Sequence, residues 1–153
     1  VTVEIRRVDP RLPPYQRLVQ DLDRFFIENY PAESNHLLDL GSLCRPEMHF
    51  FGIEVDGVAR GCGGFWTHDG YVEIKRVYVE PSARGLGLAR KLMAVIESEA
   101  RTLRFTLVRL ETGILQPEAL GLYKALGYVE RGPFGEYGPD PNSVFMEKSL
   151  GEI

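Results

Sequence analysis

The sequence predicts a mixed α/β fold whose sheet is mostly antiparallel and carries helices on both faces. Three observations carry that expectation. Segments of period-two apolar pattern cluster in the middle of the chain, then alternate with segments of helical period. Asp56-Gly57 separates two of those segments, a strong two-residue hairpin signal. The strand from Tyr71 to Glu80 changes parity: Val72 and Ile74 are apolar at even positions, Val77 and Val79 at odd ones. A strand repeats every two residues, so one extra residue near Lys75-Arg76 must be absorbed as a β-bulge if both pairs face one core. A strand covered on both faces would also tolerate the switch, and Tyr78 keeps that arrangement open.

Taken in order, Val1 to Val8 reads as a strand, broken by Asp9-Pro10 and Pro13-Pro14. Leu18, Val19, Leu22, Phe25 and Phe26 recur at helical spacing between Tyr15 and Tyr30. Pro31 to Ser34 ends that helix, and His36 to Leu40 reads as a second, short one. Met48–Val55 and Val58–Thr67 form the hairpin, and His68-Asp69-Gly70 turns into Tyr71–Glu80. Pro81–Gly87 is a loop and Leu88–Arg101 a helix with Leu88, Leu92, Val95, Ile96 and Ala100 near one face. Phe105–Glu111 is a strand, Gln116–Leu126 a helix closed by Gly127, and Tyr128–Arg131 and Val144–Lys148 two last strands. The Gly- and Pro-rich stretch between them, Gly132 to Asn142, is a long loop of the kind that often carries function.

The 153 residues suit one domain, residues 1–153. Hydrophobic residues make up 44% and charged ones 26%, which places the chain among globular proteins rather than disordered or fibrous ones. Eighteen basic against 22 acidic residues leave a net charge of −4, a poor basis for non-specific nucleic-acid binding. The first residues show no apolar signal core, and no run approaches the roughly 18 apolar residues of a membrane span. The expectation is a cytoplasmic protein with no membrane partner. Cys44 and Cys62 make no disulfide scaffold, and Cys62, inside a strand, reads as a small core residue. His36, His49 and His68 match no helical metal spacing, so no metal is expected.

The most informative stretch is Val77-Tyr78-Val79-Glu80-Pro81-Ser82-Ala83-Arg84-Gly85-Leu86-Gly87-Leu88-Ala89-Arg90-Lys91. A strand enters a glycine loop that opens a helix, where bare N–H groups and the helix dipole attract anions. Arg84, Arg90 and Lys91 crowd that helix start although cations there oppose the dipole by about 0.3–1 kcal/mol each. A bound polyanion removes the conflict; solvated side chains in a tight turn are the simpler alternative. A P-loop is absent, and Arg90 stands where a dinucleotide fingerprint needs its third glycine.

Arg84, Gly87 and Ala89, after a hydrophobic strand and Pro81, resemble the acetyl-CoA-binding motif of the GCN5-related N-acetyltransferase (GNAT) superfamily. The element order resembles that family over most of the chain. Gln116 to Tyr128, with Ala119 and Tyr123 followed by Gly127-Tyr128, resembles its second signature, with Gln116 in place of the usual Asn. The resemblance implies a GNAT fold splayed at the bulge, and an enzyme moving acetyl from acetyl-CoA to an amine by direct attack in a ternary complex. It implies that the N–H groups from Arg84 through Gly85, Leu86, Gly87 and Leu88 to Ala89 hold the pyrophosphate. Backbone groups around Val77, Tyr78 and Val79 hold the pantetheine and thioester, with Gln116 and Ala119 alongside. Tyr123 then serves as acid toward the CoA sulfur.

Amine attack also needs a base. Glu73, just before the bulge, is the candidate, against an ion pair with Lys75 or Arg76 as the structural alternative. The acceptor is expected to be a primary amine of a small molecule or amino acid, met by Phe26, Tyr30, Glu73 and Tyr137, with Phe25, Glu28, Phe134 and Glu136 as further candidates. A non-catalytic acyl-CoA-binding domain and transfer of a longer acyl group are the alternatives. A homodimer is among the assemblies the sequence leaves open.

Overall fold

Apolar alternation and turn residues translate into a seven-stranded sheet in the computed structural model, which describes residues 1–34 and 40–151. The strands are β1 (Val3–Arg7), β2 (Met48–Val55), β3 (Val58–Thr67), β4 (Val72–Val79), β5 (Leu107–Gly113), β6 (Val129–Arg131) and β7 (Ser143–Ser149). The helices are α1 (Pro13–Asn29), α2 (Leu40–Leu43), α3 (Leu88–Thr102) and α4 (Pro117–Ala125). Sheet order is β1-β2-β3-β4-β5-β7-β6, and β4–β5 is its parallel pair. No helix among the described residues is long and apolar enough to cross a membrane.

The helices cover both faces. On one, Leu88, Leu92, Met93 and Ile96 of α3 pack with Phe65, Val72, Ile74 and Leu110. On the other, Tyr15, Leu18 and Val19 of α1 pack with Phe50 and Cys62. The helix expected from Tyr15 begins two residues earlier. Pro13 and Pro14 sit in its first turn, where a missing N–H leaves no helical bond unmade, so they start α1 rather than break the chain before it. Most of the short helix expected over His36–Leu40 lies outside the described residues; a helical turn runs Leu40–Leu43.

The parity change in β4 is a bulge. Gly64 pairs with Lys75 but Cys62 with Tyr78, so Gly63 alone faces Arg76 and Val77. Val72 and Ile74 therefore share a face with Val77 and Val79, all four against the α3 core. Arg76 takes up the extra residue with φ of 62°, a left-handed conformation that costs a non-glycine residue about 1–2 kcal/mol.

Candidate active site

The bulge bends β4 away from β5. The two strands pair at Val72↔Val108 and Glu73↔Arg109, and no further pairing follows. Beyond those positions a cleft of about 650 Å³ opens. Val77, Tyr78 and Val79 form its β4 wall, Glu111 and Thr112 its β5 wall. Leu22, Phe25 and Phe26 reach it from α1, Ala119 and Tyr123 from α4.

One end of the cleft is the glycine loop. Gly85 and Gly87 have φ of 89° and 71°, which glycine adopts without penalty. A Cβ built at either would meet nothing within 4 Å, so the cradle is open to a ligand. Gly87 caps α3, no side chain satisfies the helix start, and its first turn holds no acid. Arg84, Gly85, Gly87, Leu88, Ala89 and Arg90 line the cleft there. Leu86 does not; it is exposed, and any contact from residue 86 would be through its backbone. The Arg84 Nε donates to the Val79 carbonyl at 3.0 Å, tying the loop back onto the end of β4.

Tyr123 stands at the middle. It is 6% exposed and lines the cleft, yet its hydroxyl has no hydrogen-bond partner among the described residues. Burial pushes its pKa well up, so the phenol stays protonated and able to donate. A buried hydroxyl without a partner is rare and points to a ligand. Gln116 lines the same wall. Its Oε1 accepts from Gly113 N at 3.1 Å and Thr112 Oγ1 at 3.3 Å, which turns its amide donors to other partners.

Glu73 is elsewhere. It is 4% exposed, on the α1 side of β4, and is not among the residues lining the cleft. His68 Nε2 lies 2.9 Å from its Oε1, while Tyr137 Oη donates to Oε2 at 2.6 Å and Lys75 Nζ lies 3.0 Å from it. The ion-pair alternative for Glu73 is thus realised, with Lys75 and two further partners. Tyr137 is absorbed in the same network, its pKa raised first by burial and then by the Glu73 charge. Its ring packs with Phe134 and Phe145, which pins the β6–β7 loop to the sheet. Tyr30 is buried as well. Its hydroxyl accepts from Leu115 N at 2.9 Å and braces the β5–α4 loop rather than lining the cleft.

Residues 15–128 match the Acetyltransferase (GNAT) family, which covers well over half of the chain. The chain belongs to the GNAT family. It is therefore an acetyl-CoA-dependent N-acetyltransferase, with acetyl-CoA as its co-substrate. A protein named IAA acetyltransferase from Azospirillum brasilense is 45% identical over 150 residues, 97% of this chain and 98% of its own. The crystal structure of a putative acyl-CoA N-acyltransferase from Klebsiella pneumoniae is 37% identical with a TM-score of 0.87, covering 98% of this chain and 99% of that one. A putative acetyltransferase from Salmonella typhimurium, solved with acetyl-CoA, shares the fold at 20% identity and a TM-score of 0.73, covering 100% of this chain and 96% of its own.

In this GNAT chain the donor-side expectations converge on one cleft: Val77, Tyr78, Val79, Arg84, Gly85, Gly87, Leu88, Ala89, Gln116, Ala119 and Tyr123 all line it. The acceptor-side expectations divide. Phe26 lines the cleft; Glu73, Tyr30 and Tyr137 do not, and each is bonded to a partner inside the fold. Two carboxylate residues do line it: Glu118 in the first turn of α4, and Glu111 near the end of β5, with Ser143 Oγ donating to it at 2.8 Å. Sequence reasoning passed over Glu111 as a strand end. Its one available signal was an acid two residues before Gly113, in a strand whose alternate positions Val108 and Leu110 are apolar.

Cys62 is fully buried, and its Sγ donates to the Arg76 carbonyl at 3.6 Å. Burial pushes the thiol up to about 12, so it is not a nucleophile at neutral pH. Cys44 is exposed. A maleimide at neutral pH should therefore modify one thiol of the folded chain rapidly and the second only on denaturation, as read by intact mass.

Proposed function

We propose that this chain acetylates the primary amine of a small molecule, by direct attack with donor and acceptor bound together. The observation that carries the reading is the buried Tyr123 hydroxyl lining the cleft, without a partner among the described residues. Acetyl-CoA, when bound, supplies the activated acetyl group. The glycine loop and the start of α3 bind its pyrophosphate, and Arg84 and Arg90 add charge complementarity. Backbone N–H groups at the bulge, around Val77, stabilise negative charge developing on the acetyl oxygen.

Glu111 replaces Glu73 as the proposed base, because it lines the cleft on β5, the strand facing the bulged β4, whereas Glu73 does not line it and Glu118 belongs to the first turn of α4. The new N–C bond forms as the C–S bond breaks. One ammonium proton goes to Glu111. Tyr123 gives a proton to the departing sulfur and regains one from the acylated nitrogen. The name of the Azospirillum relative, IAA acetyltransferase, fits a small-molecule acceptor.

Two measurements test this. Isothermal titration should show acetyl-CoA binding at micromolar strength, and thiol release should then follow addition of an amine. Glu111→Gln should lower kcat/KM by about 10²-fold and abolish the rise of rate with pH, while Glu73→Gln should leave the shape of that profile in place. A flat loss for Glu73→Gln together with an unaltered profile for Glu111→Gln would return the base role to Glu73. Failure to bind acetyl-CoA would remove the assignment of the glycine loop.

A further inference from the structure

The end of the cleft away from the glycine loop is walled by α1. Phe25 and Phe26 line it and are only half buried, although both are large and apolar. Tyr30 backs both rings, at centroid distances of 6.3 Å and 5.4 Å, so they are held in place. Two supported rings left half open inside a concave site are apolar surface that a ligand would cover.

The charges at this end differ from those at the other. Arg76 lines the cleft, but its side chain is 4% exposed and its guanidinium donates to Asp23 of α1, so that pair is neutral. Arg84 and Arg90 belong to the glycine loop and the α3 start. Glu111 sets a carboxylate in the wall across from α1.

The geometry points to an acceptor of one class: a primary amine on a flat, apolar body that carries no carboxylate of its own. This rests on the acetyl-transfer reading above. The ammonium lies beside Glu111 and the body covers Phe25 and Phe26. An amino acid with the same body would bring its carboxylate into an apolar end whose guanidinium is already paired with Asp23, and would lose hydration without recompense. A short amine would leave the rings uncovered.

The test compares phenethylamine, phenylalanine and propylamine by thiol release at saturating acetyl-CoA, with wild type and Phe26→Ala, and titrates acetyl-CoA into both proteins. The expected result is a kcat/KM for phenethylamine at least about tenfold above that of either other amine. Phe26→Ala should lower that value about tenfold, and the value for propylamine much less, with acetyl-CoA affinity preserved. The proposal is overturned if phenylalanine or propylamine is the better substrate, or if Phe26→Ala lowers all three equally. Acetyl-CoA binding without turnover of any of the three also overturns it and leaves the donor site standing. Loss of acetyl-CoA binding in wild type brings down both readings together.

Discussion

Tyr123→Phe should lower kcat by about 10²-fold, the lower end of what a positioned acid contributes, and at the same time make the ligand-free protein more stable. Both effects follow from one observation: the hydroxyl is buried, lines the cleft and has no partner among the described residues. A buried hydroxyl with no hydrogen bond carries an unrepaid desolvation cost of about 1–3 kcal/mol. Removing it should raise Tm by roughly 2–4 °C for each kcal/mol recovered. The ring itself, edge-on to Tyr128 at 5.8 Å, stays in place. Acetyl-CoA affinity, read by titration calorimetry, should move less than about threefold, since a group acting on the leaving sulfur contributes in the transition state rather than in the bound ground state. A fall in Tm would mean that the hydroxyl is bonded within the fold, and an unchanged kcat would take Tyr123 out of the mechanism.

The second large effect is on stability. A Cβ added at Gly64 would lie 2.0 Å from the His49 carbonyl oxygen and 2.9 Å from the His49 carbonyl carbon. Both are backbone atoms of β2, and Gly64 is paired there with Phe50, so neither strand can retreat without breaking the ladder. Gly64→Ala should therefore destabilise by about 3 kcal/mol and lower Tm by roughly 10 °C. The control is Gly121→Ala in α4, where nothing lies within 4 Å of the added methyl and alanine favours the helix by up to about 1 kcal/mol. Urea denaturation of both variants checks the pair. Equal stability of Gly64→Ala and wild type would mean that β2 and β3 are farther apart than described.

Much of this arrangement is legible in the linear order of residues. The parity change from Val72 and Ile74 to Val77 and Val79 locates the bulge, since a two-residue period admits no other way to keep four apolar side chains on one core. The glycines and cations from Arg84 to Lys91 mark the proposed anion site, because φ and charge are properties of nearby residues. Local rules mislead where a neighbour decides. Pro13 and Pro14 look like breakers until the helix they open is seen to start on them.

The acceptor side shows the same division more sharply. Glu73 sits on the same strand, three residues before the bulged Arg76, and sequence position alone makes it a reasonable base. Tyr137 lies 64 positions away, and it is Tyr137, with Lys75 and His68, that engages Glu73 inside the fold. Glu111, on a strand with no distinguishing motif, reaches the cleft because β5 departs from β4 after two registered pairs. By itself the sequence determined the order of elements along the chain, the bulge and the glycine loop, all set by periodicity, backbone conformation and short-range charge, and its resemblance to a family singled out the tyrosine of the second motif. Only the tertiary structure decided which carboxylates line the cleft and which aromatic rings are left half open there, because contacts between distant segments leave no period and no spacing to read.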